Sequence, residues 1–173
     1  KHITIVEKGQ PIEKRRCPKT VTKHCVNCRP YCHITTGFSG AGAFSDGKLS
    51  LSHEVGGDFP TLIGAQNAQD LIDYTDGIYL EFGADSHIEG IGNTEEVRRR
   101  AIQAGLKLVD CPIRHLGTEK AQTLYLALEN YLRDNDVEMI FGWECEELLM
   151  DGETCLGVSL RKGDQTQEIR AGH

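Results

Sequence analysis

The sequence predicts an α/β fold that has an antiparallel β-meander and a small inserted α+β region. Residues His2 to Val6 are apolar and β-branched, which is typical of a buried strand. An amphipathic helix is predicted from Glu119 to Arg133, with its leucines in one stripe. Residues Val137 to Ile169 predict consecutive antiparallel strands, because Asp151-Gly152 and Lys162-Gly163 are turn sequences.

These elements divide the chain into three predicted parts. Residues 1–53 contain the first strand, a cysteine-rich loop and a glycine-rich segment. Residues 54–113 form an inserted or substrate-facing α+β region, and residues 114–173 return to the first part with the long helix and the meander. The cofactor-related motifs fall in the first and third parts.

The middle part has weaker patterns. Residues Phe59 to Gly83 predict short helices with polar breaks between them. A helix is predicted from Thr94 to Gln103, because Asn93 and Glu96 have the spacing of a capping box. Residues Leu106 to Val109 then predict a strand.

Composition restricts the classes of function. The 173 residues carry a net charge of −7, which argues against a nucleic-acid-binding surface. No apolar run approaches the roughly 20 residues that cross a bilayer, and the first residues read as a strand rather than an export signal. We therefore expect a cytoplasmic protein with no membrane span. Basic residues nevertheless cluster in one segment that is suited to an anion: Lys14, Arg15, Arg16, Lys19 and Lys23.

A glycine-rich segment, Gly37 to Leu49, has the most specialised composition in the chain, GFSGAGAFSDGKL. Its glycines indicate positive φ angles or close backbone approach to a ligand, and backbone N–H groups beside Lys48 suit a phosphate. The alternative is a glycine-rich surface loop. Leu49 argues against a nucleotide triphosphate loop, because it has no oxygen for magnesium where that motif requires Ser or Thr. A short β-like run from Cys32 to Phe38 precedes the segment.

A long loop is predicted from Gln10 to Tyr31, and long loops are usually functional. It leads to four cysteines with the spacing C-x7-C-x2-C-x3-C, namely Cys17, Cys25, Cys28 and Cys32. Four thiolates can hold zinc or an iron–sulfur cluster. The alternative is that reduced cysteines simply pack the loop. An odd total of seven cysteines argues against a disulfide framework.

Two further positions suggest ligand contacts. Glu7 ends the first strand, where dinucleotide-binding folds place a carboxylate that accepts hydrogen bonds from a ribose. The matching G-x-G-x-x-G turn would precede Lys1, so either Glu7 is an ordinary surface residue or the chain begins inside a larger domain. Arg114 and His115 lie before the long helix and are candidates for contact with an anionic substrate, with a structural histidine as the alternative.

The order of motifs resembles one family. VEKG, RRCP, C-x2-C-x3-C, GFSGAGAFSDGKL, RHLGT and the meander follow one another as in bacterial FAD-dependent dehydrogenases, which are related to NAD-utilising and glutathione-reductase-type flavoproteins. The resemblance covers most of the chain and is densest in residues 3–51 and 114–171. It implies a partial FAD/NAD(P)-binding Rossmann-like domain of an oxidoreductase. The expected activity is electron or hydride transfer, with NAD(P) as an electron partner and with an unspecified small-molecule substrate and electron acceptor.

The resemblance also implies roles for individual residues. Glu7 corresponds to the ribose carboxylate, Arg16 to a phosphate contact, and the strand near Cys145 to a segment whose backbone recognises adenine. The cofactor-binding set that it implies is Glu7, Lys8, Arg16, Gly40, Ala41, Gly42, Ser45, Lys48 and Cys145. The chain corresponds to an internal fragment, whose first glycine turn and closing segment are expected in other parts of the same polypeptide. We expect such a fragment to be inactive by itself.

A second hypothesis concerns a different class of protein. The chain would be a non-enzymatic module that holds zinc or an iron–sulfur cluster through Cys17, Cys25, Cys28 and Cys32. The glycine-rich segment would then only connect elements. The two hypotheses are compatible, because a flavoprotein can also contain a metal centre.

Overall fold

The computed structural model describes residues 2–92 and 94–172 and has a mixed α/β architecture with small sheets. The chain forms two compact units. The first contains the residues up to Phe44 and those from Tyr125 onwards, and the second contains Ser45–Leu124. The predicted boundaries were near residues 53 and 113. Among the described residues, no helix has the length and apolar character needed to cross a membrane.

A parallel strand pair lies in the first unit. Strand β1, Ile3–Glu7, pairs with β4, Val137–Phe141, so that Glu7 lies opposite Phe141. The prediction that all strands after Val137 are antiparallel was therefore wrong for β4. Its partner is far away in the sequence, and parallel strands require a long crossover connection that a local pattern does not reveal.

The meander itself is confirmed in the first unit. Strands β5 (Glu144–Asp151), β6 (Thr154–Lys162) and β7 (Gln165–Arg170) form an antiparallel sheet in that order. Gly152 and Gly163 have φ angles of 57° and 58°, as tight turns between paired strands require. The two turn sequences therefore determined this part of the fold.

The cysteine-rich region is less irregular than predicted. A 3-10 turn spans Ile12–Lys14, and a short helix, α1, spans Lys19–Thr22. The predicted β-like run from Cys32 to Phe38 was wrong, because this segment consists of successive turns up to an isolated bridge at Gly37. The Arg15 side chain rather than a neighbouring strand donates to the carbonyls of His33, Ile34 and Phe38.

Among its described residues, the second unit contains three complete helices, a strand pair and the beginning of the long helix that starts at Thr118. Helix α2 spans Phe59–Ile63, α3 spans Ala65–Glu81 and α4 spans Glu95–Gln103, while β2 (Lys48–Ser50) pairs antiparallel with β3 (Ile113–His115). The prediction of short broken helices was wrong for α3, which continues for 17 residues. Polar residues within it face solvent and do not interrupt the helix.

Two further predictions for this unit had different outcomes. The α4 prediction is confirmed, although Asn93, half of the proposed capping box, lies outside the described residues, and Thr94 makes no side-chain cap. The strand predicted from Leu106 to Val109 was wrong, because these residues pair with no strand and Leu106 is exposed. Apolar residues with no partner strand do not form a ladder.

The long helix α5 spans Thr118–Asp134, close to the predicted range. Thr118 is its first residue. Leu124 is buried, as the leucine stripe predicted, whereas Leu128 and Leu132 are only half-buried.

Candidate functional site

The glycine-rich segment lies against the carboxyl end of β1. The Phe38 N–H donates to the Gln10 carbonyl at 3.2 Å, and Gln10 forms a bridge with Gly37. A Cβ atom added to Gly9 would lie 2.5 Å from the Gly37 nitrogen. Only glycine at position 9 allows the two backbones to approach this closely.

Glu7 ends β1 beside this contact. Its Oε1 accepts a hydrogen bond from the Gly9 N–H at 2.6 Å, and its carbonyl accepts one from Gly142 at 2.9 Å. Within the described part of the chain, its Oε2 has no hydrogen-bond partner. The carboxyl ends of parallel strands are where open α/β sheets bind ligands. Glu7 therefore offers one carboxylate oxygen at a typical ligand position.

The buried side chain of Arg15 holds the start of the glycine-rich segment in place through hydrogen bonds. Arg15 is 3% exposed, and its planar guanidinium lies over the Phe44 ring, with Cζ 4.5 Å from the ring centroid. It donates at distances between 2.5 and 3.0 Å to the carbonyls of His33, Ile34, Phe38 and Gly40. These four hydrogen bonds define the path of the chain into the segment.

The positive charge of Arg15 has no carboxylate in direct contact among the described residues. Burial lowers the pKa of Arg15, while the charges of Glu7 and Cys32 raise it. Arginine remains protonated at neutral pH even with such a shift. The glycine-rich segment is thus built around a buried cation, which favours an anionic ligand nearby.

Sequence reasoning named Arg15 only as a member of the basic cluster and selected its neighbour Arg16 as the phosphate contact. Arg16 is exposed, and within the described residues only its carbonyl has a hydrogen-bond partner, the Nδ1 of His33 at 3.1 Å. Nothing in the sequence distinguishes the two arginines, because adjacent side chains of an extended segment point in opposite directions. The exposed guanidinium of Arg16 remains available for a phosphate.

The glycine-rich segment has unusual backbone and side-chain features. Gly37 has a φ of 130°, and a Cβ there would lie 2.5 Å from the Cδ of Arg15. Ser39 has a φ of 62°, and its buried Oγ has no hydrogen-bond partner among the described residues. Strained backbone and unpaired buried polar atoms cost free energy and concentrate at functional sites. Gly40, with a φ of 55°, and Ala41 continue the turn.

The later residues of the glycine-rich segment have different surroundings from those of Gly37 to Ala41. Gly42 begins a 3-10 turn, and a Cβ there would lie 3.0 Å from the Tyr125 hydroxyl. Ser45 and Lys48 belong to the second unit. The Lys48 ammonium pairs with Asp46 at 2.8 Å, which raises the pKa of Lys48 and lowers the pKa of Asp46. A phosphate at Lys48 would compete with this ion pair.

Lys8 and Cys145 lie near the start of the meander. The Lys8 ammonium contacts the Glu144 carboxylate at 2.6 Å, which lowers the pKa of Glu144. Cys145 is exposed and pairs with Leu160 across β5 and β6. Cys145 also lines a broad cleft of about 800 Å³ together with Ile3 of β1. Its backbone, the predicted adenine contact, therefore already takes part in a strand pair.

Arg114 and His115 have different environments in the second unit. Arg114 is 3% exposed, and its guanidinium binds the Asp76 carboxylate through Nε and Nη2, with a contact of 2.6 Å for Nη2. Asp76 raises the pKa of Arg114, whose Nη1 also donates to the Asp85 carbonyl. Arg114 thus has a structural role, as the buried partner of Asp76. His115 is half-exposed, with Nδ1 at 3.3 Å from the carboxylate of Glu89.

The four loop cysteines share one small pocket of about 80 Å³ in the first unit. Its cysteine and histidine residues are Cys17, Cys25, Cys28, Cys32 and His33. None of the four is in a disulfide. In residues 2–92 and 94–172, no three Cys, His, Asp or Glu side chains form a ready-made metal site. Backbone N–H groups of Ile34 and Thr35 donate to the Cys32 thiol and lower its pKa.

No protein-family model matches the chain. No curated protein matches it either. The family resemblance of the motifs therefore stays a prediction, and the functional argument depends on the geometry described above.

Proposed function

We propose that this chain is the FAD-binding portion of a flavin-dependent oxidoreductase, with a partial Rossmann-like fold. The observation that carries the proposal is the packing of the glycine-rich segment on the carboxyl end of β1, beside Glu7. Glu7 and the start of the glycine-rich segment, which are both typical of dinucleotide sites, lie beside each other in the first unit. Such an arrangement suits a ligand that has a ribose and a pyrophosphate.

The residues present fit the adenosine diphosphate half of FAD. Glu7 has a carboxylate oxygen without a partner in the described part of the chain, which is suited to a ribose hydroxyl. Arg15 supplies positive charge beneath the segment, and Arg16 is exposed beside it. Gly40 and Ala41 have little or no side chain, so a pyrophosphate could approach the backbone closely.

The chain's own contribution to the reaction would be binding and orientation. The isoalloxazine of a bound flavin supplies the electron or hydride transfer. Glu7 would position the ribose, and the buried Arg15 would hold the segment in the shape that receives the pyrophosphate. An oxidoreductase of this kind uses NAD(P) or another electron partner. His115 remains the candidate for substrate contact, because Arg114 is buried in its ion pair with Asp76.

Titration of the purified chain with FAD tests the proposal. We expect saturable binding, measured by calorimetry and by the change in flavin fluorescence, and we expect ADP to compete because it carries the half that these residues fit. Riboflavin lacks the ADP half and serves as the matched control ligand. Absence of binding for both FAD and ADP, or equal binding of FAD and riboflavin, would contradict the assignment.

A further inference from the structure

We propose that Cys17, Cys25, Cys28 and Cys32 together bind one Zn²⁺ ion as four thiolates. The proposal does not depend on FAD binding. It begins from the shared pocket, because these four cysteines, which are spread over a predicted loop, line one cavity of about 80 Å³. Zinc in structural sites is bound tetrahedrally by four such ligands.

The local fold explains how the four residues reach one place. Cys17 lies just before α1, where its carbonyl accepts a hydrogen bond from the Thr20 N–H at 3.2 Å. The helix lasts only to Thr22, and the chain then reverses through Lys23, whose φ is 63°. This reversal returns the C-x2-C pair to the side of Cys17. A C-x2-C pair is a common two-ligand unit of zinc sites.

The charges around the pocket favour four thiolates. Zinc with four thiolates carries a net charge of −2, which needs nearby cations. Lys19 lines the same pocket, and the Arg15 guanidinium donates to the carbonyls of His33 and Ile34, the two residues that follow Cys32. Lys19, one of the basic residues that cluster between positions 14 and 23 in a chain of net charge −7, thus acquires a role.

A zinc ion fits this sequence better than an iron–sulfur cluster. The spacing C-x7-C-x2-C-x3-C matches neither of the common ferredoxin patterns. Zinc has no geometric preference from its d electrons, so it accepts ligands from an irregular loop.

Zinc binding must rearrange the side chains. No three described ligand-type residues already form a metal site, although Cys25 and Cys32 are exposed at the edge of the pocket. Rotation of these thiols toward the cavity would complete the site. Each thiol that binds loses its proton, so binding releases protons and stabilises the loop.

Metal analysis of the whole chain tests the proposal. We expect one zinc per chain after reduction and dialysis against zinc, measured by mass spectrometry of the metal. In the double variant Cys25→Ser, Cys28→Ser, the amount of zinc per chain should fall by about tenfold or more. The matched control is Cys111→Ser, Cys155→Ser, whose thiols contact Ser50 and the Gly157 carbonyl and do not line the pocket. Equal zinc in both double variants would overturn the proposal.

A second measurement uses only the wild-type chain, so it is informative even if the variants do not fold. In the zinc-loaded protein, we expect a thiol reagent to modify three of the seven cysteines rapidly and the remaining four only after a chelator is added. Rapid reaction of all seven before chelation, or iron with acid-labile sulfide in place of zinc, would overturn the assignment. Continued FAD binding by the Cys25→Ser, Cys28→Ser variant would separate this result from the flavin proposal.

Discussion

Arg15 is the single residue with the largest structural role in the candidate site. Its buried guanidinium satisfies four carbonyls, and Gly37 must be glycine because a Cβ there would collide with the Arg15 side chain. A buried charge is costly unless hydrogen bonds compensate for desolvation. Here backbone carbonyls provide that compensation, so the cation can remain without a carboxylate and contribute its field to the site.

Replacement of Arg15 tests this role directly. We expect Arg15→Met to reduce the free energy of unfolding by about 3 kcal/mol or more, because several buried carbonyls lose their donors. The exposed neighbour provides the control, since Arg16→Met should change stability by less than about 0.5 kcal/mol. Urea unfolding monitored by circular dichroism measures both. Equal stability of the two variants would contradict an organising role for Arg15.

Glu7 is the residue on which ribose recognition depends. Removal of its charge by Glu7→Gln should weaken ADP and FAD binding about tenfold, because hydrogen bonds to a charged acceptor contribute about 1.5 kcal/mol or more. Glu13→Gln makes the same change in net charge at an exposed position of the 3-10 turn. We expect affinity in that control to stay within about twofold, as calorimetric titration would show. An equal loss in both variants would indicate a general charge effect.

At the level of elements, the contact between the end of β1 and the glycine-rich segment assembles the candidate site. Gly9 and Gly37 touch through their backbones, and the segment continues from there over Arg15. Neither element forms this site alone, because β1 supplies the carboxylate and the segment supplies the close backbone approach. The relative position of the two elements should therefore affect stability and ligand binding together.

Gly9→Ala is the sharpest change at this contact. The added methyl would lie 2.5 Å from the Gly37 nitrogen, so the two elements must separate, at a cost of about 1–3 kcal/mol. Flavin affinity should fall in the same variant. Gly92→Ala is a suitable comparison, because a Cβ there meets no atom within 4 Å and its φ is not positive. Thermal unfolding and FAD titration of the two variants should differ clearly, and matching results would argue against the close approach.

The ion pair between Lys8 and Glu144 connects the chain after β1 to the meander at 2.6 Å. Lys8 lowers the pKa of the Glu144 carboxyl below its ordinary value of 4.5. The stability that this pair contributes is therefore present above pH 4.5 and is lost as the pH falls through the lower pKa of the folded state. The stability difference between wild type and Glu144→Gln should be constant near neutral pH and should shrink in acid. Chemical unfolding at several pH values measures this, with Glu147→Gln as the control.

At the scale of the whole molecule, the chain has two compact units, and the residues of the proposed adenosine contact lie in the first. The middle of the sequence, from Ser45 to Leu124, forms the second unit with its own buried ion pair between Arg114 and Asp76. A ligand that binds one unit stabilises the elements of that unit most strongly.

Hydrogen exchange should reveal this difference between the units. On addition of FAD, we expect the largest gain in protection in residues 5–12 and 37–44. These ranges contain Glu7, the carbonyls of the glycine-rich segment that accept hydrogen bonds from Arg15, and the close backbone contact. Helix α3 in the second unit should change little and provides the internal reference. Mass spectrometry of exchanged peptides makes the comparison within one sample. Protection confined to the second unit would contradict the proposed position of the ligand.

Local sequence signals were sufficient for part of this protein. Helix α5 and the meander were predictable, because amphipathic spacing and Gly-containing turns act over a few residues. Glu7 was also correctly expected at the end of a strand. The strand predicted at Leu106 and the broken helices predicted within α3 were wrong, because short apolar runs do not specify their partners.

The sequence by itself determined three features. They are the helices and strands that have strong short-range signals, the acidic end of β1, and a glycine-rich segment that is unsuited to a regular element. Only the tertiary structure decided that β4 pairs with β1, that Arg15 rather than Arg16 is buried, and that the four loop cysteines share a pocket. These outcomes depend on contacts between residues that are distant in the chain or on the direction of one side chain. Such contacts are selected by burial and hydrogen-bond satisfaction in the folded protein, for which no local pattern provides a signal.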